Sequence, residues 1–454
     1  MNVAAERVEY SGHRVVVGLG TTGLSCARYL QQRGLPFIVV DTRAQPPGLA
    51  DLRREFPEVD VFTGDYPHEL IATAAELVVS PGVAMDTAIV RDALASGVAV
   101  IGDIDLFMRE ATAPVIGITG SNAKSTVTEL LGQMAGDAHL NVGVGGNLGT
   151  PALDLLAPDC ELYVLELSSF QLERAHHLGL AVATILNISA DHLDRHGSMP
   201  GYHLAKHRIF QGCKKVVVNR DDPLTIPLVG SDVEVISWCM AEPRHDGFGL
   251  QRDEGVEYLV HGTSKLMPVT ELKLAGRHNV ANALAALAVG HSAGLPMAAM
   301  LHTLRNFSGL PHRCELVAEI VGVRYVNDSK GTNVGATDAA LRGLGGENNV
   351  LLIAGGQGKG ADFTVLEQSV TAHCKLLILM GEDAPLLARA LSSFVPVLMV
   401  TSLEEAVTAA AARATRGDVV LLSPACASFD MFSGYAQRGE MFSALVTRLS
   451  ERVQ

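Results

Sequence analysis

Cysteine is scarce and unpatterned in this 454-residue chain: the seven, at positions 26, 160, 213, 239, 314, 374 and 426, form no C-x-x-C pair and no zinc-like spacing. An odd, scattered set excludes a disulfide framework and points to a reducing compartment. Aromatic residues make up only 5%, with one tryptophan, and basic residues are outnumbered. The 35 Lys and Arg face 49 Asp and Glu, for a formal net charge of −14. So acidic a chain lacks the basic face that sequence-independent nucleic-acid binding requires, and it suits an anionic membrane no better. The start, MNVAAERVEYSGHRVVVGLG, has no basic segment followed by a long apolar one, so no secretory signal and a cytoplasmic location are expected. The one uncharged stretch long enough to suggest a membrane span, Asn279 to Leu301, is Ala-rich and broken by Gly290 and by Gly294-Leu295-Pro296. It reads as a buried core helix, with no membrane insertion.

What is present describes a well-buried globular protein, with 48% apolar and 19% charged residues. At ~150 residues per domain the length suggests about three domains. Three stretches repeat the order of apolar run, Gly-rich turn and helix that marks parallel α/β sheets. The first holds Arg14-Val-Val-Val17 and Phe37-Ile-Val-Val-Asp41. The second holds Ala113 to Gly120, Glu161 to Glu166 and Val182 to Asn187. The third holds Asn349 to Ala354, Lys375 to Gly381, Val395 to Val400 and Asp418 to Ser423. Such strands are apolar throughout because helices cover both faces. The joints fall near 102 and 309, giving units 1–102, 103–309 and 310–454.

Gly18, Gly20 and Gly23 satisfy G-x-G-x-x-G between a strand and a helix, and Asp41 ends the next strand. That is the dinucleotide fingerprint in its required context, where backbone N–H groups and a helix terminus can face a phosphate. It does not name the nucleotide, and glycines that only allow close helix–strand packing would look the same. A second phosphate-loop candidate is Thr119-Gly120-Ser121-Asn122-Ala123-Lys124-Ser125-Thr126. It fails the strict Walker pattern, with Ile118 and Ala123 where glycines are required, but keeps a lysine for phosphates and hydroxyls for Mg²⁺ at a helix start. An ordinary Ser/Thr-capped helix start is the plainer alternative.

Glu166 ends an apolar strand, where ligands gather in parallel sheets and a Mg²⁺ role is natural. In Asn187-Ile-Ser-Ala-Asp191-His192-Leu-Asp194-Arg195-His196, two carboxylates and two imidazoles converge on one strand end, which suggests a metal or phosphate site. Lys206 alone reads as a solvated helix lysine. In the last third, the Pro311-His312-Arg313, Asn327-to-Asn333, Gly355-to-Gly360 and Ser423-to-Asp430 loops gather cations and hydroxyls suited to an anionic substrate.

The ordered set GLGTTGLS, VVDTR, GITGSNAKST, VGVGGNLGTPAL, LELSSFQLE, LNISADHLDRH, YHLAKHRIF, GRHNVANALAALA, GLPHRCELV, NDSKGTNVGAT, GGQGKGADF and LLSPACASFD resembles the Mur ligase family over essentially the whole chain. SSFQLE and SPACASFD resemble its D-glutamate-adding branch. The resemblance implies an α/β protein of three domains: an N-terminal Rossmann-like domain for a UDP-sugar, a central P-loop ATPase with a mainly parallel sheet, and a C-terminal Rossmann-like domain for glutamate and ATP.

The resemblance also assigns residues. Thr21, Thr22, Asp41, Thr42, Arg43, Ser80 and Gly82 would contact uridine diphosphate, and Asn147 the muramoyl part. Gly120, Ser121, Asn122, Ala123, Lys124, Ser125 and Thr126 would hold ATP phosphates. Asn279 and Asn282 would meet adenine, Arg313 the γ-phosphate and Asp328 the ribose. Two Mg²⁺ ions are implied, one on Ser125 and Glu166, the other on His192 with a carbamylated Lys206. Thr332, Lys359, Ser428 and Tyr435 would surround glutamate. The implied reaction adds D-glutamate to UDP-N-acetylmuramoyl-L-alanine through an acyl phosphate, with Lys124, Arg313 and His192 as cations among anionic reactants, in a monomer. Where many members have glycine this chain has Ala123, which requires a backbone φ below zero there. Ala190, Gly331 and Gln357 also depart from the commonest pattern, at positions near glutamate and metal.

Overall fold

The computed structural model describes residues 12–176, 178–274 and 276–453. The part of the amino-terminal stretch that precedes residue 12, read above for a leader, lies outside them. Three sheets follow one another along the chain, each with a reversal of strand order, which in the first two lies beside the first strand.

The first sheet is wholly parallel, in the order β3 (Val61–Thr63), β2 (Phe37–Asp41), β1 (Arg14–Val17), β4 (Glu76–Val79), β5 (Ala99–Ile101). The chain builds outward from β1 on one side and then crosses to the other, so a crevice opens between the β1 and β4 ends. Glycine is required at that turn. Gly18 has φ +91°, and a Cβ on Gly23 would lie 2.0 Å from the Gly18 carbonyl oxygen.

The second sheet is parallel through β7 (Val142–Gly146), β8 (Leu162–Glu166), β6 (Val115–Thr119), β9 (Val182–Ile185), β10 (Lys215–Asn219) and β11 (Glu234–Trp238). β6 and β8 are buried at every position, as two-sided helix cover demands. An antiparallel extension, β12 (Phe248–Asp253), β13 (Val256–His261) and β14 (Ser264–Pro268), completes the edge. The repeat of parallel units did not foretell this extension. Its sequence signal is the two-residue turn Glu254-Gly255, with φ 47° and 83°, between paired Asp253 and Val256.

The third sheet runs β15 (Glu315–Ile320), β16 (Val323–Asn327), β20 (Val419–Leu422), β17 (Val350–Ala354), β18 (Cys374–Leu379), β19 (Val397–Met399), parallel except for β15. The apolar stretch from Asn279 resolves into two helices, Arg277–Ser292 and Met297–Asn306, parted by Gly294 at φ +85°. Among the described residues no helix is long and apolar enough to cross a membrane.

One hydrophobic cluster runs without a break from Val16, Leu30 and Phe37 through Ile104 and Phe107 of the connecting helix Asp103–Glu110 to Tyr163 and Leu165 under the second sheet. The third sheet packs into clusters of its own. The first two units therefore share a core, whereas polar side chains join the site loops of the second and third.

Candidate active site

At the first crevice, Asp41 is 3% exposed and fully engaged. It accepts from the Leu19 N–H at 2.7 Å and from the Arg43 backbone and guanidinium at 2.6–2.9 Å. Burial pushes its pKa up, and these donors together hold it below the ordinary value. Ser80 Oγ donates to the Gly18 carbonyl at 2.7 Å, tying the two sides of the crevice. Thr21 and Thr22 open the helix Thr21–Gln32, and Thr42, Arg43 and Gly82 stand exposed at the rim.

The second sheet delivers the loop after β6 to the start of the helix Lys124–Asp137. Lys124 Nζ folds back on the Gly120 and Ser121 carbonyls at 2.8 and 3.0 Å. Lys206 Nζ reaches the same Gly120 carbonyl at 2.8 Å and Thr119 Oγ1 at 3.3 Å. Lys206 is therefore not the solvated lysine expected from its helix. It is 1% exposed, and burial, with Lys124 beside it, drives its pKa well down. Two ammonium groups on one carbonyl repel each other, and burial lowers Lys124 as well.

Glu166 is 2% exposed. Its Oε1 accepts from Asn147 Nδ2 at 2.7 Å, while Oε2 is buried with no hydrogen-bond partner among the described residues. Burial raises its pKa but Lys124 and the neighbouring donors outweigh that, keeping it ionised. A buried ionised oxygen that no hydrogen bond satisfies suits a hard divalent cation. Ser125, beside it, takes a hydrogen bond from Arg313 Nη2 at 2.8 Å.

The convergence expected after β9 is narrower than its sequence suggested. Asp191 and His192 face the site, 3.6 Å apart, but Asp194 is exposed and His196 turns to Ser169 Oγ at 3.0 Å and to the Phe170 ring. No cluster of three His, Cys, Asp or Glu occurs among the described residues. Burial lowers the His192 pKa to about 4. The imidazole is thus neutral near pH 7, suited to ligate a metal and not to act as the expected cation.

Ala123 also departs from expectation. It adopts φ 67°, ψ −4°, a left-handed conformation, instead of φ below zero. At Gly331 the departure has a steric reason, since a Cβ would sit 2.6 Å from Asp328 Oδ2 and 2.8 Å from Ser423 Oγ.

The strand-end loops of the third sheet are stitched together. Gln357 and Ala427 exchange backbone bonds at 3.0 and 2.8 Å, and Ala425 N–H donates to the Gly331 carbonyl at 2.9 Å. Ser428 is buried, Thr332 half-buried, and Tyr435 takes a hydrogen bond from Lys330 Nζ at 3.0 Å with the ammonium 4.4 Å from its ring centre. Lys359 Nζ reaches across to Asp191 Oδ1 at 2.8 Å.

Between the second and third sheets lies a cavity of about 220 Å³, lined among others by Asn279, Asn282, Trp238, Arg313, Asp328 and Lys330. Lys330 and Trp238 had drawn no role from sequence. Lys330 lies in the Asn327-to-Asn333 loop and could have been found there, whereas Trp238 ends β11, a strand with no motif around it.

Residues 12–102 match the family described as Mur ligase MurD-like, N-terminal domain, residues 118–290 the Mur ligase middle domain, and residues 312–426 the Mur ligase glutamate ligase domain. The chain belongs to the Mur ligase family. Among its relatives, the UDP-N-acetylmuramoylalanine--D-glutamate ligase of Pseudomonas aeruginosa is 55% identical over 439 residues, covering 96% of this chain and 98% of that one. The protein of the same name from Hahella chejuensis is 51% identical over 436 residues, covering 96% and 98%. The fold is shared with solved ligases: a pseudomurein peptide ligase type C from Methanothermus fervidus, at TM-score 0.62 and 18% identity over 96% of this chain and 100% of that one, and UDP-N-acetylmuramate-alanine ligase of Thermotoga maritima, at 0.59 and 19% over 97% and 99%. As a Mur ligase the chain is an ATP-dependent, amide-bond-forming enzyme.

Proposed function

We propose that this ligase adds D-glutamate to UDP-N-acetylmuramoyl-L-alanine in peptidoglycan precursor synthesis, the activity that its full-length relatives are named for. The observation that carries the reading is the Arg313–Ser125 bond at 2.8 Å, which brings a cation of the third unit onto the phosphate loop of the second. Lys124 lies one residue before that serine. Cations from two units thus surround one helix N-terminus, the arrangement that a transferred phosphoryl group requires.

On this reading residues 1–102 bind the UDP-substrate, 103–309 form the ATPase and 310–454 take glutamate and part of ATP. The alanyl carboxylate attacks the γ-phosphorus, and the bond to ADP breaks. Lys124 and Arg313 hold the phosphoryl oxygens, whose charge would otherwise repel the carboxylate. The glutamate amine then attacks the acyl carbon, loses a proton, and inorganic phosphate departs. Thr332, Lys359, Ser428 and Tyr435 surround glutamate and hold it with its amine toward the acyl carbon, while closure of the third unit keeps water from the acyl phosphate. Thr21, Thr22, Asp41, Thr42, Arg43, Ser80 and Gly82 serve the uridine diphosphate. Gly120 to Thr126, Asn279, Asn282 and Asp328 serve ATP.

Mg²⁺, when bound, neutralises phosphoryl oxygens. Glu166, through its unpaired Oε2, and Ser125 fit one ion; neutral His192 fits a second together with Lys206. As an ammonium, Lys206 does not fit. Carbamylation turns it into an anion, and a strongly depressed pKa leaves the amine free to react with CO₂. It would also end the crowding of two cations on Gly120. The enzyme is read as a monomer.

Lys124→Ala tests the division of labour. Turnover is expected to vanish while UDP-substrate affinity stays within about tenfold, ~1.4 kcal/mol. A larger loss of UDP-substrate affinity would contradict the assignment.

A further inference from the structure

Two guanidinium groups of the second unit grip one backbone carbonyl of the first. Arg174 Nη2 and Arg195 Nη2 each donate to the Val83 carbonyl at 2.8 Å. A carbonyl oxygen has two lone pairs, so both bonds can form together. The three residues sit at telling places. Val83 follows the Ser80-Pro81-Gly82 loop, and its side chain closes on the fingerprint turn, where a Cβ on Gly18 would lie 2.9 Å from Val83 Cγ2. Arg174 ends the helix Ser169–Arg174, which starts just beyond Glu166. Arg195 lies three residues after His192.

Arg174 is an unexpected residue to find there. Its side chain is 0% exposed, and its Nε and Nη1 have no hydrogen-bond partner among the described residues. Its nearest carboxylate contact, Glu173 Oε2, is 3.9 Å away. An apolar side chain of similar length would satisfy the core at lower cost, so packing alone does not account for a guanidinium at this site. Its stem also meets the joint between units, since a Cβ on Gly102 would lie 2.9 Å from Arg174 Cγ. Arg195 is braced by the same Glu173 Oε2, at 3.2 Å, and by the Phe170 ring at 5.1 Å.

We propose that Arg174 and Arg195 form a two-pronged clamp on the Val83 carbonyl that holds the UDP-substrate loop in register with the Glu166 and His192 strand ends. They are positioning residues. They touch neither substrate, and they set where the alanyl carboxylate lies relative to the γ-phosphate, a placement in which an error near 1 Å costs on the order of a hundredfold in rate. The proposal rests on the reading that the first unit binds the UDP-substrate.

The test uses Arg195→Met, Arg174→Met, the double variant and Arg195→Lys in the full chain. It compares calorimetric dissociation constants for UDP-N-acetylmuramoyl-L-alanine and for a non-hydrolysable ATP analogue with kcat at saturation. Both affinities should stay within about threefold in every variant while kcat falls at least fivefold in each Met variant. The double variant should lose less than the product of the two single losses, because both prongs act on one carbonyl. Arg195→Lys should recover part of the rate. A role confined to stability would lower the melting temperature and leave kcat per folded molecule unchanged; a loss below fivefold in Arg195→Met overturns the clamp. Loss of UDP-substrate affinity beyond tenfold with kcat preserved also overturns it, since Arg195 would then be a substrate contact. If Arg174→Met does not fold, Arg195→Met decides alone. Failure of the unmodified chain to bind the UDP-substrate would instead refute the reading beneath the proposal.

Discussion

Lys359 Nζ donates to Asp191 Oδ1 at 2.8 Å, joining the third unit to the strand end that carries His192. Asp191 Oδ2 also accepts from Asn333 Nδ2 at 3.1 Å, and Asn333 reaches Asn122 Oδ1 at 3.2 Å. The lysine assigned to glutamate therefore already has an anionic partner. Glutamate, arriving with two carboxylates, competes with Asp191 for that ammonium. A charge-assisted bond is worth about 1.5–3 kcal/mol. Lys359→Ala should accordingly raise the Michaelis constant for D-glutamate by roughly ten- to a hundredfold, with those for ATP and the UDP-substrate within threefold. Steady-state kinetics on all three substrates checks it. Equal weakening of the three would make Lys359 a latch and remove it from the glutamate pocket.

Asp328 yields a pH dependence. Burial raises its pKa to about 6, against the opposing pull of Ser423, Arg313 and the Cys314 N–H. Above pH 6 the carboxylate is ionised and can accept from a ribose hydroxyl; below it the group is neutral and accepts more weakly. The Michaelis constant for ATP should therefore rise as pH falls from 7.5 to 5.5. Asp328→Asn should show a raised constant already at pH 7.5 and a flatter pH profile. An unchanged acid limb in that variant would assign the titration to another group.

The left-handed Ala123 predicts a gain from glycine. An L-residue in this conformation pays about 1–2 kcal/mol, part of which the greater freedom of unfolded glycine offsets. Ala123→Gly should raise stability by roughly 1 kcal/mol with turnover intact, measured by denaturant midpoint. A lower midpoint would mean that the Ala123 methyl packs usefully.

Trp238 is the chain's single tryptophan, 4% exposed, on the wall of the cavity that holds Asn279 and Asn282. Its emission should change saturably on titration with ATP, and Trp238→Phe should lose the signal while keeping turnover within about threefold. An emission blind to saturating ATP would move the base out of this cavity.

Much of this architecture was legible because its signals are local. A parallel strand that is apolar at every position, followed by a glycine turn, announces itself in Arg14 to Gly23, Val115 to Lys124 and Asn349 to Gly360 alike. Residues whose environment comes from distant chain were not legible. Nothing around Lys206 in its helix reveals that Thr119 and Gly120 will cover it, nor that desolvation will strip His192 of its proton. Ala123 misled for the opposite reason. The sequence rule that an alanine avoids positive φ is sound, but the phosphate loop imposes the turn whatever the residue.

The most direct test of the proposed function is ADP release by the purified chain with ATP and Mg²⁺, supplying and withholding UDP-N-acetylmuramoyl-L-alanine, D-glutamate and L-glutamate in turn. Sustained release is predicted only with the UDP-substrate and D-glutamate together, with a UDP-N-acetylmuramoyl-L-alanyl-D-glutamate product of matching yield by mass spectrometry. Equal turnover with L-glutamate, or sustained release without the UDP-substrate, would contradict it.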